Sequence, residues 1–232
     1  MPGRLRVAPL RGEFIVSREW LVPLTGVAFI VVAIIGFIVG GEPPDVDSPV
    51  QEIVDHYVDN KDAVQIGSAL VVIAIAFFMF FAGYLRKVLR AAEGENGMLS
   101  AMVLAGATVM GVGAAIDSAI SFALADAADK IEPTAVQALQ ALWDNDFFPL
   151  ALGSGVFLLA SGISIALHGA LPRWLGWIAI LLALISFTPL GFVGFLGGAL
   201  WILIVSVLLT VRARALTQPP PPAGPGRAAP AP

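Results

Sequence analysis

Residues 174–211 read WLGWIAILLALISFTPLGFVGFLGGALWILIVSVLLTV, 38 positions without one charged side chain. As a single helix this stretch would be about 57 Å long at about 1.5 Å per residue, nearly twice the roughly 30 Å of a bilayer's hydrocarbon core. Thr188-Pro189-Leu190-Gly191 lies near its middle and supplies a break, because proline lacks the donor a helix interior needs. The stretch therefore predicts a tight hairpin of two membrane helices.

Four further apolar runs precede it. They span Leu21–Gly40, about Val64–Leu85, about Leu99–Leu124 and about Phe148–Leu167. The first is long for a signal peptide, and its Gly40-Gly41-Glu42-Pro43-Pro44 exit lacks a small-x-small cleavage pattern, so it reads as an uncleaved anchor. The expectation is an all-α bundle of six transmembrane helices over residues 20–213. A cytoplasmic segment, 1–19, precedes it, and a Pro/Ala-rich tail, 214–232, follows. The tail cannot bury a core and reads as disordered or polyproline-like.

The whole chain agrees with that reading. Of its 232 residues 58% are hydrophobic and 13% are charged, with a mean hydropathy of +0.87. So few charges cannot cover a water-exposed surface. No cysteine is present, which excludes disulfides, thiol catalysis and thiolate metal sites. The arginine and alanine bias suits a GC-rich bacterial genome.

Orientation follows from the bases. With six helices and an inside N-terminus, Arg4, Arg6, Arg11, Arg18, Arg86, Lys87, Arg90, Arg173, Arg212, Arg214 and Arg227 fall on the cytoplasmic side. Only Lys61 and Lys130 fall outside. Eleven against two is a strong positive-inside bias. The acids mirror it: Glu42 to Asp62 crowd the first outer loop, and Asp126 to Asp146 the second.

Each outer loop predicts an amphipathic helix. In the first, over about 48–61, Ser48-Pro49-Val50-Gln51 offers a capping box, and Val50, Ile53, Val54, Tyr57 and Val58 share a face. In the second, over 133–144, the apolar face is Val136, Leu139, Leu142 and Trp143. Asp59-Asn60 followed by Gly67-Ser68 echoes Asp144-Asn145 followed by Gly153-Ser154. Duplication and chance both remain open as explanations.

Asp117 is the one ionisable residue well inside a predicted span. An aspartate at mid-membrane costs roughly 2.5–3.5 kcal/mol, against roughly −2 to −5 kcal/mol from the eight strongly apolar residues around it. The third helix must therefore turn Asp117 toward the bundle or water. Two readings stand: a cation or proton site, or a residue hydrated at the outer interface with help from Ser118 and Ser121. His168 is expected at the opposite end of the bundle and His56 in a loop, so no bis-histidine haem is expected. Asp55, Asp59, Asp62, Asp144 and Asp146 lack EF-hand spacing and read as a solvated acidic face. No catalytic residue, cofactor or metal is assigned. Gly36-xxx-Gly40, Gly194-xxx-Gly198 and Ala107, Gly111 and Ala115 fit close helix approach. The expected partners are the lipid bilayer and another membrane protein or a second copy meeting these small-residue faces. No nucleic acid is expected.

The segments ALWDNDFFPLALGSGVFLLASG, GALPRWLGWIAILLALIS and GALWILIVSVLLTVRAR, with VDHYVDNKDAVQIGSALVV and GYLRKVLRAAEG before them, resemble small six-helix integral membrane proteins common in actinobacteria. The resemblance covers most of residues 20–215, and Pro172-Arg173-Trp174-Leu175-Gly176-Trp177 is its most specific piece. That family carries no assigned activity, so the resemblance implies an architecture only. Two functions follow as expectations: a structural or regulatory protein that engages a partner, or a small transporter or channel-like protein using Asp117.

Overall fold

A computed structural model describes residues 19–95, 97–188 and 190–217. The N-terminal segment and nearly all of the Pro/Ala-rich tail lie outside the described residues. Every regular element among those described is helical. A 3₁₀ turn, Glu19–Leu24, leads into α1 (Thr25–Gly40). There follow α2 (Val50–Asp59), α3 (Lys61–Glu93), α4 (Met98–Ala127), α5 (Pro133–Asp144), α6 (Phe147–His168), α7 (Arg173–Ser186) and α8 (Gly191–Thr217).

Five segments are long and apolar enough to cross a membrane: 19–40, 61–93, 98–127, 133–168 and 191–215. The fourth of these combines α5 with α6. The sixth expected span, α7, has 14 residues, about 21 Å, short of the hydrocarbon thickness. The predicted break is where it was expected: α7 stops at Ser186 and α8 starts at Gly191. Thr188 closes the turn by donating its hydroxyl to the Ile185 carbonyl and accepting from the Leu190 N–H. The hairpin turns back deep beside α6, because the Phe187 ring fills the space over Gly155. Helix α8 runs on to Thr217, three residues past the predicted start of the tail.

The helices α1, α3, α4, α6, α7 and α8 pack in that order, and α8 returns to α1 to close the ring. Glycines set the approach distances. A Cβ on Gly67 would lie 2.7 Å from both the Gly36 carbonyl oxygen and Gly40 Cα, so the Gly36-xxx-Gly40 face is used against α3. Gly194 closes on Ser186, Gly198 on Leu158 and Gly111 on Ile75. Small-residue faces expected to allow close helix approach do so within the chain. On the outside, Ile34, Ile38, Ile66, Phe80, Val112, Leu181, Phe192 and Leu200 stay exposed, an apolar belt suited to lipid.

Charge is segregated by end. At one end Lys87 pairs with Glu19 (3.1 Å), Arg214 lies 4.1 Å from the Trp20 ring centroid, and Arg212 donates to the Ala170 carbonyl. At the other end Lys61 and Lys130 clasp Asp126 at 3.1 and 3.0 Å. These are the basic end and the cap end below. Helix α6 stops at the basic end on Gly169, whose φ of +71° lets its N–H reach the Ile165 carbonyl. Pro172 occupies the cap position that starts α7. Trp174 and Trp177 project outward from the first turns of α7.

The cap is α2 and α5 laid together over the ends of α3 and α4. Ile53, Val54, Tyr57, Val64, Leu124, Ala125, Ala128 and Val136 form its core. Two details differ from the sequence reading. Ser48 does not cap α2: Pro49 occupies the cap position and Gln51 donates to Asp55 within the helix. The buried face of α5 is Val136 and Gln140, while Leu142 and, on α2, Val58 are exposed. The echoed motifs occupy equivalent places. Asn60 and Asn145 both follow a cap helix and donate four residues back, to His56 and Ala141. Gly67 and Gly153 both press on the long helix before the cap helix, through Gly36 and Met110.

Candidate functional site

Beneath the cap, α1, α3 and α4 border a partly open chamber of about 70 Å³. Gly36, Gly40 and Gly67 line it where α1 and α3 meet closely. Asp117, Ser118 and Ser121 line it from α4, Ser68 from α3, and His56, Tyr57 and Trp143 from the cap. Asp117 is half-buried. Asp117 lies under the cap near that end of the bundle, with Ser118 and Ser121 beside it in the chamber lining.

His56, expected in the first outer loop and its amphipathic helix, sits in α2 and lines the same chamber. Burial lowers its imidazole from the ordinary 6.5, because a neutral ring loses less on leaving water. Tyr57 beside it is pushed up, first by burial and then by Asp144 and Asp117. It stays a phenol and donates to Gln140 Oε1. Gln140 in turn donates toward the Pro44 carbonyl and Asp144, each at 3.3 Å, and Gln137 donates to the Val46 carbonyl at 3.1 Å. The 42–49 segment is thereby tied to α5.

Four buried side-chain atoms among the described residues make no hydrogen bond: His56 Nε2, Trp143 Nε1, Asp146 Oδ2 and Ser161 Oγ. The first two belong to chamber-lining residues, and Asp146 is close enough to repel the Asp117 carboxylate. The Trp143 N–H lies within electrostatic reach of that carboxylate, but its geometry falls outside a hydrogen bond. Orphaned polar atoms concentrate here, whereas buried polar groups are almost always paired.

Deeper in the bundle lies a packed aromatic core. Phe29, Phe78, Phe157 and Trp201 form a continuous line of rings across α1, α3, α6 and α8, with centroids 5.0, 5.3 and 6.1 Å apart. Phe29 and Phe78 each lie seven residues beyond Gly36 and Val71 of the chamber wall, about 10 Å deeper. Trp201 is fixed by its N–H to the Leu175 carbonyl at 2.9 Å.

No family model, curated protein or solved structure matches this chain.

The other sequence candidates lie apart from the chamber. His168 is exposed at the basic end, its Nδ1 3.2 Å from the Ser164 carbonyl, so it does not meet Asp117. No group of three or more His, Asp or Glu side chains able to hold a metal occurs among the described residues. Sequence reasoning missed His56 and Gln140. Gln140 follows Val136 by four residues, so the helical period puts it on the buried face; its polarity argued the other way.

Proposed function

We propose that this chain is a multi-pass cell-membrane protein with a structural or regulatory, partner-engaging role and no catalytic activity. Its basic end faces the cytoplasm and its cap faces out. Six crossings are proposed, in line with the resemblance to the actinobacterial six-helix proteins. Arg173 and Arg212 flank the α7–α8 hairpin at one end, so both termini return to the cytoplasmic side however deep its apex reaches. The basic residues at that end support the orientation.

The observation that carries the functional reading is the aromatic line from Phe29 to Trp201. A conduit needs polar groups along its depth, and here the layer about 10 Å deeper than the chamber wall is packed apolar rings. The cap presents Glu52, Asp55, Asp59, Val58 and Leu142 outward, a surface better suited to another protein than to anionic lipid. A small transporter or channel-like protein using Asp117 is the second reading, supported by the unpaired atoms around the chamber. Reconstituting the protein with a pH-sensitive dye inside the vesicles tests the choice. The preferred reading expects no flux, and Asp117→Asn to fold and insert at least as well as the native chain. A proton flux present in the native protein and lost in Asp117→Asn would overturn it.

A further inference from the structure

We propose that the chamber under the cap binds one monovalent metal cation, with the Asp117 carboxylate as its anionic ligand and the Ser118 and Ser121 hydroxyls as neutral ligands. The chamber's volume, about 70 Å³, is well above the roughly 10–15 Å³ that one water needs, so a small ion fits there with water.

The sign of the site follows from its walls. Asp117 supplies negative charge and Asp146 adds to it from outside the lining. Helix α1 ends at Gly40, so the carbonyl end of its dipole, also negative, borders the chamber through Gly36 and Gly40. Lys61 and Lys130 are committed to Asp126. Burial disfavours a charged His56, so no fixed positive charge opposes an ion at neutral pH.

The valence follows from the ligands. One carboxylate lines the chamber, which balances a single charge. A divalent ion such as Ca²⁺ takes six to eight oxygens, commonly from several carboxylates, and no such grouping exists among the described residues. Ser118 already donates its proton to the Ala114 carbonyl at 2.9 Å, which leaves its oxygen lone pairs for an ion. The Trp143 N–H and His56 Nε2, which make no hydrogen bond, belong to residues lining the same chamber.

The proposal does not depend on whether the protein conducts; binding without flux is the combination expected. The test is thermal unfolding of the purified full chain in detergent at neutral pH. Sodium or potassium chloride is compared with choline chloride at equal ionic strength. The native protein should unfold several degrees higher in one alkali salt than in choline, whose methylated ammonium cannot take oxygen ligands at metal-ion distances. Asp117→Asn should lose that difference. Ser121→Ala, a milder change, should need several-fold more cation for the same rise. Asp126→Asn, outside the chamber, should keep the native response. Equal unfolding of the native protein in all three salts would overturn the proposal, as would a full cation response in both Asp117→Asn and Ser121→Ala. Stabilisation by acid alone, with no alkali-cation effect, would also overturn it.

Discussion

The Tyr57 hydroxyl donates to the side-chain oxygen of Gln140, joining two cap helices that are 83 residues apart in sequence. Both side chains are buried, Gln140 completely. The bond is the polar centre of the cap and closes the roof of the Asp117 chamber.

Cutting that bond from one side should cost more than removing it altogether. Tyr57→Phe leaves the Gln140 oxygen without its donor, at about 1–3 kcal/mol. Replacing Gln140 by leucine in the same chain substitutes an apolar group of similar length. The double variant should therefore recover part of the loss, although Pro44 and Asp144 also lose their contacts to Gln140. A double-mutant cycle on unfolding free energies reads the coupling. Additive losses would show that the bond carries no coupling.

Gly67→Ala should destabilise the bundle by about 1–3 kcal/mol. The new methyl would sit 2.7 Å from the Gly36 oxygen and Gly40 Cα, both backbone atoms that cannot rotate away. Gly83→Ala on the same helix, with open space around it, serves as the control. It should be neutral or slightly stabilising through better helix propensity. Unfolding midpoints in detergent should separate the two variants.

Acid should loosen the cap through His56. Its folded value lies below the ordinary 6.5 because the ring is buried. As pH falls through 6.5 the unfolded chain takes up the proton first. The His56 contribution is thus complete above 6.5 and declines below it, toward the lower folded value. His56→Gln should flatten that part of the stability profile and leave the neutral side little changed. Thermal unfolding across mildly acidic pH measures it. An unchanged acid limb in the variant would assign the effect to the cap carboxylates.

Reporter fusions test the orientation. Alkaline phosphatase should be active when inserted after Asp47, in the segment joined to the cap, and inactive at the C-terminus. Activity at the C-terminus would rule out both termini being cytoplasmic.

The sequence by itself determined the helical class, the five long apolar segments, the break near residues 187–190 and the position of the second cap helix. Each is a local property. Uninterrupted apolar length sets a span, a Thr-Pro-Leu-Gly run breaks a helix, and proline at the first position starts one. It also identified Asp117 as the costly residue, since one charge in an apolar run stands out without any knowledge of neighbours. Tertiary structure alone decided what Asp117 meets. His56 and Trp143 reach the chamber from helices 61 and 26 residues away in sequence, because the cap folds over the ends of α3 and α4. Which helices the glycine faces bring together was also a tertiary matter, since Gly67 receives Gly36 and Gly40. Gln140 was not among the residues of the predicted apolar face, and an isolated amide is costly to bury. Its burial is stable only because Tyr57, Pro44 and Asp144 satisfy it, and no local pattern encodes those partners.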